Sequence, residues 1–98
     1  MTIDLRALAD TVNDEQEFLA FLAALATDWH EEKDIEALKP SSPYGAGALG
    51  WENGTVGAVL EAAASWGEAS IAGLPLYEKP ANPWRRVAQI LLAGKFYE

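Results

Sequence analysis

Large apolar residues along this chain fall into three groups, near residues 15–33, 55–71 and 83–96. Each group has helical spacing and contains one tryptophan: Trp29, Trp66 and Trp84. In the first group Phe18, Phe21, Leu22, Leu25 and Trp29 recur at i, i+3, i+4, i+7 and i+11, which draws one stripe along a helix. Ala20, Ala23, Ala24 and Ala26 favour helix and allow a neighbour to approach closely. Asp14 stands where a cap is needed, and Glu17 follows at capping-box spacing. Glu15 and Glu17 place negative charge in the first turn, where the helix dipole favours it.

In the second group Thr55 is the expected cap, and Val56, Val59, Leu60, Ala63, Trp66 and Ile71 are expected to share a buried side. A competing pattern exists here. Asn53-Gly54 is a hairpin signal, and Leu49–Trp51 and Thr55–Val59 could be its strands. The helix is preferred because the alanine run to Trp66 keeps a helical period and no other strand is available to complete a sheet. In the third group Asn82-Pro83 reads as a cap followed by proline at the first helical position. Trp84, Val87, Ala88, Ile90, Leu91 and Leu92 follow. The consecutive Ile90, Leu91 and Leu92 spread around about 200° of a helix. That helix must be covered on more than one side, so it belongs at the bundle centre or at a subunit interface.

Residues 4–11 predict a short first helix with Leu5 and Leu8 inward. Pro40 and Pro43 break any helix in the less regular stretch 34–54, and Gly73 to Pro80 reads as a connector. The predicted architecture is an all-α small bundle of three main helices plus a short N-terminal helix, in one domain spanning residues 1–98.

Charge changes the picture next. The formal net charge is −8. Residues 1–36 carry ten acids against Arg6 and Lys33, and the rest of the chain is balanced. Nucleic acid binding needs clustered Lys and Arg, and that footprint is missing, so no nucleic-acid partner is expected. An anionic membrane surface would be repelled for the same reason. The acids read as a solvated face that aids solubility, or as a surface that steers a basic partner. There is no cysteine, which rules out disulfides and thiolate chemistry. Met1-Thr2-Ile3-Asp4 lacks the features of a signal peptide, and no run approaches the ~18 apolar residues of a membrane span. A cytoplasmic protein is expected.

Candidate chemistry is thin. Gly45-Ala46-Gly47-Ala48-Leu49-Gly50 matches G-x-G-x-x-G, but Pro40 and Pro43 precede it where a nucleotide fold needs a buried strand. It reads as a flexible loop. His30 is the single histidine, and with Asp34 at i+4 it could share a helix face. One imidazole without a second nitrogen or a thiolate makes a poor transition-metal site, so no metal is expected. Ser41, Ser42, Ser65 and Ser70 have no base that sequence can identify. The carboxylate pairs sit on what reads as an exposed face. No catalytic residue and no cofactor is expected. Asn53-Gly54-Thr55 is a glycosylation sequon and reads as incidental.

Four residues remain as candidate partner contacts: Trp51, Trp84, Arg85 and Arg86. Trp29 and Trp66 are expected in the core. Trp51 and Trp84 stand near helix starts, either as staples or as exposed binding anchors. If Trp84 closes the bundle, its truncation to alanine should cost about 3–5 kcal/mol. Arg85 and Arg86 place two cations in a first helical turn, against its dipole. At least one is expected to reach a carboxylate of the acidic third, in 14–17 or 28–36. Failing that, the pair becomes an anion or partner contact.

Trp51-Glu52-Asn53 with Thr55, and the ending Pro83-Trp84-Arg85 with Ala88, Leu91-Leu92-Ala93 and Phe96-Tyr97-Glu98, resemble an uncharacterised family of small bacterial single-domain proteins of unknown function. An Asp-led helix like Asp14 to Leu22 opens that family. The resemblance covers residues ~12–98 and implies a bacterial cytoplasmic protein without naming an activity. Taken with the charge pattern, the expectation is a non-catalytic protein–protein interaction module, immunity-type or regulatory, as monomer or homodimer, with a partner that is basic. The alternative is a small ligand-binding domain or enzyme that uses the Gly-rich loop 39–54.

Overall fold

The computed structural model describes residues 3–97, so Met1, Thr2 and Glu98 lie outside the described residues. Four helices follow in order: α1 Leu5–Asp10, α2 Glu15–Leu38, α3 Val56–Ala69 and α4 Pro83–Phe96. No strand occurs among the described residues, and a lone bridge between Leu74 and Tyr77 closes a turn in the α3–α4 connector. The chain therefore forms the all-α bundle of three main helices and one short helix.

Each helix starts where a side chain can satisfy its orphan N–H groups. The Asp4 carboxylate accepts from Ala7 N at 3.1 Å, and Asp14 accepts from Glu17 N at 2.8 Å. Glu17 reaches back to Asn13 N at 3.2 Å, one residue before the cap. The Thr55 hydroxyl accepts from Ala58 N at 3.1 Å, which starts a helix and excludes the hairpin. Asn82 accepts from Trp84 N and Arg85 N, with Pro83 at the first helical position.

Helix α4 is the hub. It packs against α1, α2 and α3, whereas α3 meets no other helix among the described residues. Gly67 faces Ile90, and Gly94 faces Val59, so α3 and α4 run antiparallel. Phe18 pairs with Trp84, and Asp28 with Lys95, so α2 and α4 run parallel. The core gathers Leu5, Ala9, Val12, Phe21, Leu25, Trp51, Ala88 and Leu92.

Three expectations need correction. First, α2 does not end near residue 33 but runs to Leu38. Nothing in 34–38 breaks a helix, and Pro40 disfavours helical geometry only from Lys39 onward. Second, the buried line of α2 is Phe21, Leu25, Asp28 and Glu32, with Leu22 on an exposed flank. Third, α3 buries Ala62, Ala63 and Gly67, while Val56, Leu60 and Ile71 are exposed. The reason is the closeness of α4. A Cβ placed on Gly94 would lie 2.8 Å from both the side chain and the carbonyl of Val59. Only small residues fit along that line, and the larger ones of α3 turn aside.

Gly94→Ala should accordingly push α3 and α4 apart and cost about 1–3 kcal/mol, as overpacking does. Urea denaturation would measure it. Gly67→Ala, whose added methyl would meet Ile90 at 3.7 Å, is the tolerated control.

Candidate functional site

The acidic helix α2 does not present all of its acids to water. Asp28, Glu32 and Glu36, at i, i+4 and i+8, form a ladder on its inner face, with Glu32 only 1% exposed. The rungs face the segment 39–51, whose backbone N–H groups need acceptors. One oxygen of Glu32 accepts from Leu49 N at 2.9 Å and Trp51 N at 3.2 Å. Glu36 accepts from Ser41 N at 2.7 Å, the Ser41 hydroxyl at 2.6 Å and Ala48 N at 2.8 Å. The reading of these acids as a solvated face is corrected here: half-buried Glu36 and buried Glu32 and Asp28 hold the loop. The signal in the sequence was their spacing in line with Phe21 and Leu25, opposite a glycine-rich run.

Gly47 shows how close the loop comes. A Cβ there would fall 2.3 Å from the Glu32 carboxyl carbon. Gly50, at φ +92°, turns the chain so that its N–H reaches the Gly47 carbonyl at 2.9 Å. Of the glycines of the G-x-G-x-x-G pattern, Gly47 thus admits a carboxylate of the protein itself, and Gly50 makes the turn.

The next three residues clamp α4 to α2. The Trp51 indole N–H donates to Asp28 Oδ2 at 2.8 Å, and the same oxygen takes Lys95 Nζ at 2.6 Å. Glu52 N donates to the Lys95 carbonyl at 2.9 Å. Asn53 Nδ2 donates to the carbonyls of Gly94 and Tyr97, each at 2.9 Å, which caps the end of α4. The sequon asparagine is in this way a helix cap.

Of the four candidate contacts, two turn inward. Trp51, 8% exposed, lies edge-on to Trp29 at 5.1 Å and below the Lys95 ammonium. Arg86, 9% exposed, donates to the Gly67 carbonyl at 2.9 Å, Ser70 Oγ at 2.8 Å and the Tyr77 hydroxyl at 3.3 Å. Its guanidinium also lies 5.2 Å from the Trp66 ring. Arg85 is half-buried and donates to the Val12 carbonyl at 3.1 Å and to the Asn13 side chain. Among the described residues neither arginine reaches a carboxylate, which overturns the expected contact with 14–17 or 28–36. Their compensation comes from carbonyls: Arg86 from the negative end of α3, and Arg85 from the turn that follows α1. Trp84 stays 37% exposed and leans on Phe18 at 5.8 Å, so it does not close the bundle. Trp29 and Trp66 are half-buried. His30 and Asp34 are exposed, and no group of three or more metal-ligating side chains forms among the described residues.

A family of unknown function, DUF7660, matches residues 14–98. The chain belongs to that family. Among curated proteins and among solved structures, no match was found. The DUF7660 match spans the acid ladder, the clamp and all of α4, and it omits α1. No helix of the described residues is long and apolar enough to cross a membrane.

Two surfaces of this DUF7660 chain are left uncovered because α1, α2 and α3 all lie on α4 without closing around it. Between α2 and α3 lies an apolar face with Leu22, Trp84 and Val87 exposed. Between α1 and α3 lies a cleft of about 470 Å³, floored by α4 and lined by Arg6, Trp66, Tyr77, Gln89 and Phe96 among others.

The buried pair makes a sharp prediction. Asp28→Ala strands the Lys95 ammonium and should cost about 3–5 kcal/mol, whereas Asp28→Leu with Lys95→Met should recover most of it. Chemical denaturation of the single and double variants measures the difference. Glu36 gives a second prediction. The Ser41 hydroxyl, then the Ser41 and Ala48 N–H groups, hold its carboxyl below the ordinary glutamate range, assisted by Lys33. A lowered value in the folded state means that its anchorage is complete above the ordinary range, near about 4.3, and disappears as pH falls through the lowered value. The Ser41 and Ala48 amide resonances should move together in that acidic window, and Glu36→Gln should abolish the step.

Proposed function

We propose that this chain is a non-catalytic protein-interaction module, immunity-type or regulatory, acting in the bacterial cytoplasm on a basic partner. The partner is received on the apolar face between α2 and α3. The observation that carries this reading is the grouping of exposed apolar side chains around Trp84. Phe18 and Trp84 touch, and α2 and α4 run parallel from that contact. Leu22, one turn beyond Phe18, and Val87, one turn beyond Trp84, are both exposed. On α4, Val87 lies between the sector that meets α3 (Ile90, Gly94) and the sector that meets α2 (Trp84, Lys95). Leu60 stands on the near flank of α3 and is also exposed.

A tryptophan at the centre of such a patch is the usual anchor of a protein interface. Glu15, Glu61 and Glu68 are exposed on the same two helices, and the net charge is −8, which favours a basic partner. The buried titratable groups support a non-catalytic role. Asp28, Glu32, Arg86 and Lys95 each have internal partners that hold helices or loops in place.

Val87→Glu and Trp84→Ala test the reading. Trp84→Ala should cost only about 1–3 kcal/mol, because part of the ring is already in water. Either variant, still folded by circular dichroism, should lose at least about tenfold in partner affinity, which is 1.4 kcal/mol. Partner capture from source-cell extract with the wild-type and variant chains as baits supplies the comparison, and analytical ultracentrifugation separates a foreign partner from a second copy. A partner held equally by all baits would overturn the proposed face.

A further inference from the structure

We infer that the partner enters the face between α2 and α3 as a single amphipathic α-helix, with apolar residues along one side and Lys or Arg along both edges of that side. The inference rests on the reading above, since it takes the same face and the same basic partner, and it adds the form in which that partner arrives.

Spacing is the first argument. At about 100° per residue, the α4 positions that meet α3 (Ile90, Gly94) and those that meet α2 (Trp84, Lys95) point about 110° apart. Helices that pack on α4 at about 8–10 Å in those two directions have axes about 13–16 Å from one another. That is too far for α2 and α3 to touch, and no contact between them occurs among the described residues. It is also the spacing that one further helix spans, lying about 8–10 Å from both. The chain supplies three members of a four-helix arrangement around this groove.

The second argument is the floor. Trp84, Val87 and Leu91 stand at i, i+3 and i+7 on α4, within the sector that runs from α2 round to α3. Trp84 and Val87 are exposed, and Leu91 is half-buried. Such a stripe is what one helix presents to another. The walls are low enough for a close approach: Ala26 lies one turn beyond Leu22, Ala64 lies one turn beyond Leu60, and both alanines are exposed.

Hydrogen bonding is the third argument. Floor and walls are all helical here, so their backbone groups are paired within their own turns. An extended segment laid in the groove would find no backbone partners and would lose water from its own N–H and C=O groups. A helix pairs its own backbone and offers the groove only side chains. Since α4 is 14 residues long, or about 21 Å, a helix of about four turns fills the groove.

Charge sets the edges. From Glu15 to Trp29 α2 contains no Lys or Arg, and α3 contains none at all. Glu15 precedes Leu22 by two turns on the same side of α2, and Glu68 continues the row of Leu60 and Ala64 on α3; both acids are exposed. The cations of the floor helix are held internally: Arg85 on the Val12 carbonyl, Arg86 on the Gly67 carbonyl and Ser70, and Lys95 on Asp28. Lys33, the first cation along α2, lies more than a turn past Asp28 and rests on the Trp29 ring at 4.0 Å. Both edges of the groove are therefore acidic, and Lys or Arg on both edges of the incoming helix complements them. A second copy of the chain has no such helix to offer, because α2 and α3 carry the acids and the cations of α4 are internal.

The test is a heteronuclear NMR titration of the full chain with three synthetic peptides of about four helical turns. One has leucine at i, i+3, i+4 and i+7, Lys and Arg on both edges of that stripe, and alanine elsewhere. One replaces every Lys and Arg by Glu. One keeps the first sequence with proline at its centre, which breaks the helix. The first should shift the Trp84 indole and the Val87 and Leu91 methyls, and gain helical circular dichroism as it binds. It should bind at least about tenfold more tightly than either of the others. Leu60→Arg, at an exposed position on the α3 wall, should weaken that binding about tenfold with the fold intact. A surface made by α2 and α4 alone would not respond to it. Glu15→Gln with Glu68→Gln should narrow the preference for the basic over the acidic peptide at least about threefold. Equal binding of the three peptides, no shift at Trp84 at millimolar peptide, or a dimer of the chain that Val87→Glu dissolves would each overturn the helix. The two readings fail apart. A captured partner lost with Val87→Glu, with the peptides unbound, overturns the helix and keeps the face. A captured partner held equally by the wild-type and Val87→Glu chains overturns both.

Discussion

The oxygen Oδ2 of Asp28 is where three parts of the chain meet. It sits on α2 and accepts from the ammonium of Lys95 on α4 and from the indole of Trp51, which ends the long loop. Removing a carboxylate from water is costly, and the interior repays it only when the lone pairs find well-placed donors. Here both donors arrive from far along the sequence, so the anion selects one arrangement of helix, helix and loop. An apolar trio of the same volume could fill the space, but it would not fix which turn of α4 stands opposite which turn of α2. That register in turn puts Trp84 against Phe18 and opens the face beside it.

Local signals were read correctly because their physics is local. Asp14, Thr55 and Asn82 cap helices through bonds that span two or three residues, and such bonds exist in any context that permits the helix. Faces were harder. Hydrophobic periodicity placed Ala63 inside correctly but also assigned Leu22, Val56, Leu60 and Ile71 to the interior, whereas the inner lines are completed by Asp28 and Glu32 on α2 and by Ala62 and Gly67 on α3. A scale that rates charge as surface cannot see a buried acid whose donors lie in a loop 17 residues away, as Leu49 does from Glu32. It also cannot see that α4 approaches α3 so closely at Gly94 that a Cβ there would meet Val59.

The four candidate contacts divide on the same grounds. Trp51 and Arg86 are conspicuous in the sequence because they are expensive to place, and the fold places them internally. Among the described residues Arg86 has no carboxylate beside it. The carbonyl end of α3 and the rings of Trp66 and Tyr77 spread its charge instead. Sequence marked the conflict at Arg85-Arg86 but supplied no way to tell that carbonyls and neutral side chains, not carboxylates, would resolve it. Trp84 is the residue that retains surface, and the motif Trp51-Glu52-Asn53 gains a structural meaning as the clamp that closes the end of α4.

The hub position of α4 also dictates when structure can appear during synthesis. Translation runs from the N-terminus, and domains usually assemble as they emerge. Here α1, α2 and α3 emerge first, yet α3 has no helix to pack on until Pro83–Phe96 follows it out. Asp28 waits for a cation 67 residues downstream. Until then its carboxylate is better off hydrated. α1 and α2 can meet as soon as both have emerged, but α3 gains a helical neighbour, and Asp28 its cation, only when α4 follows.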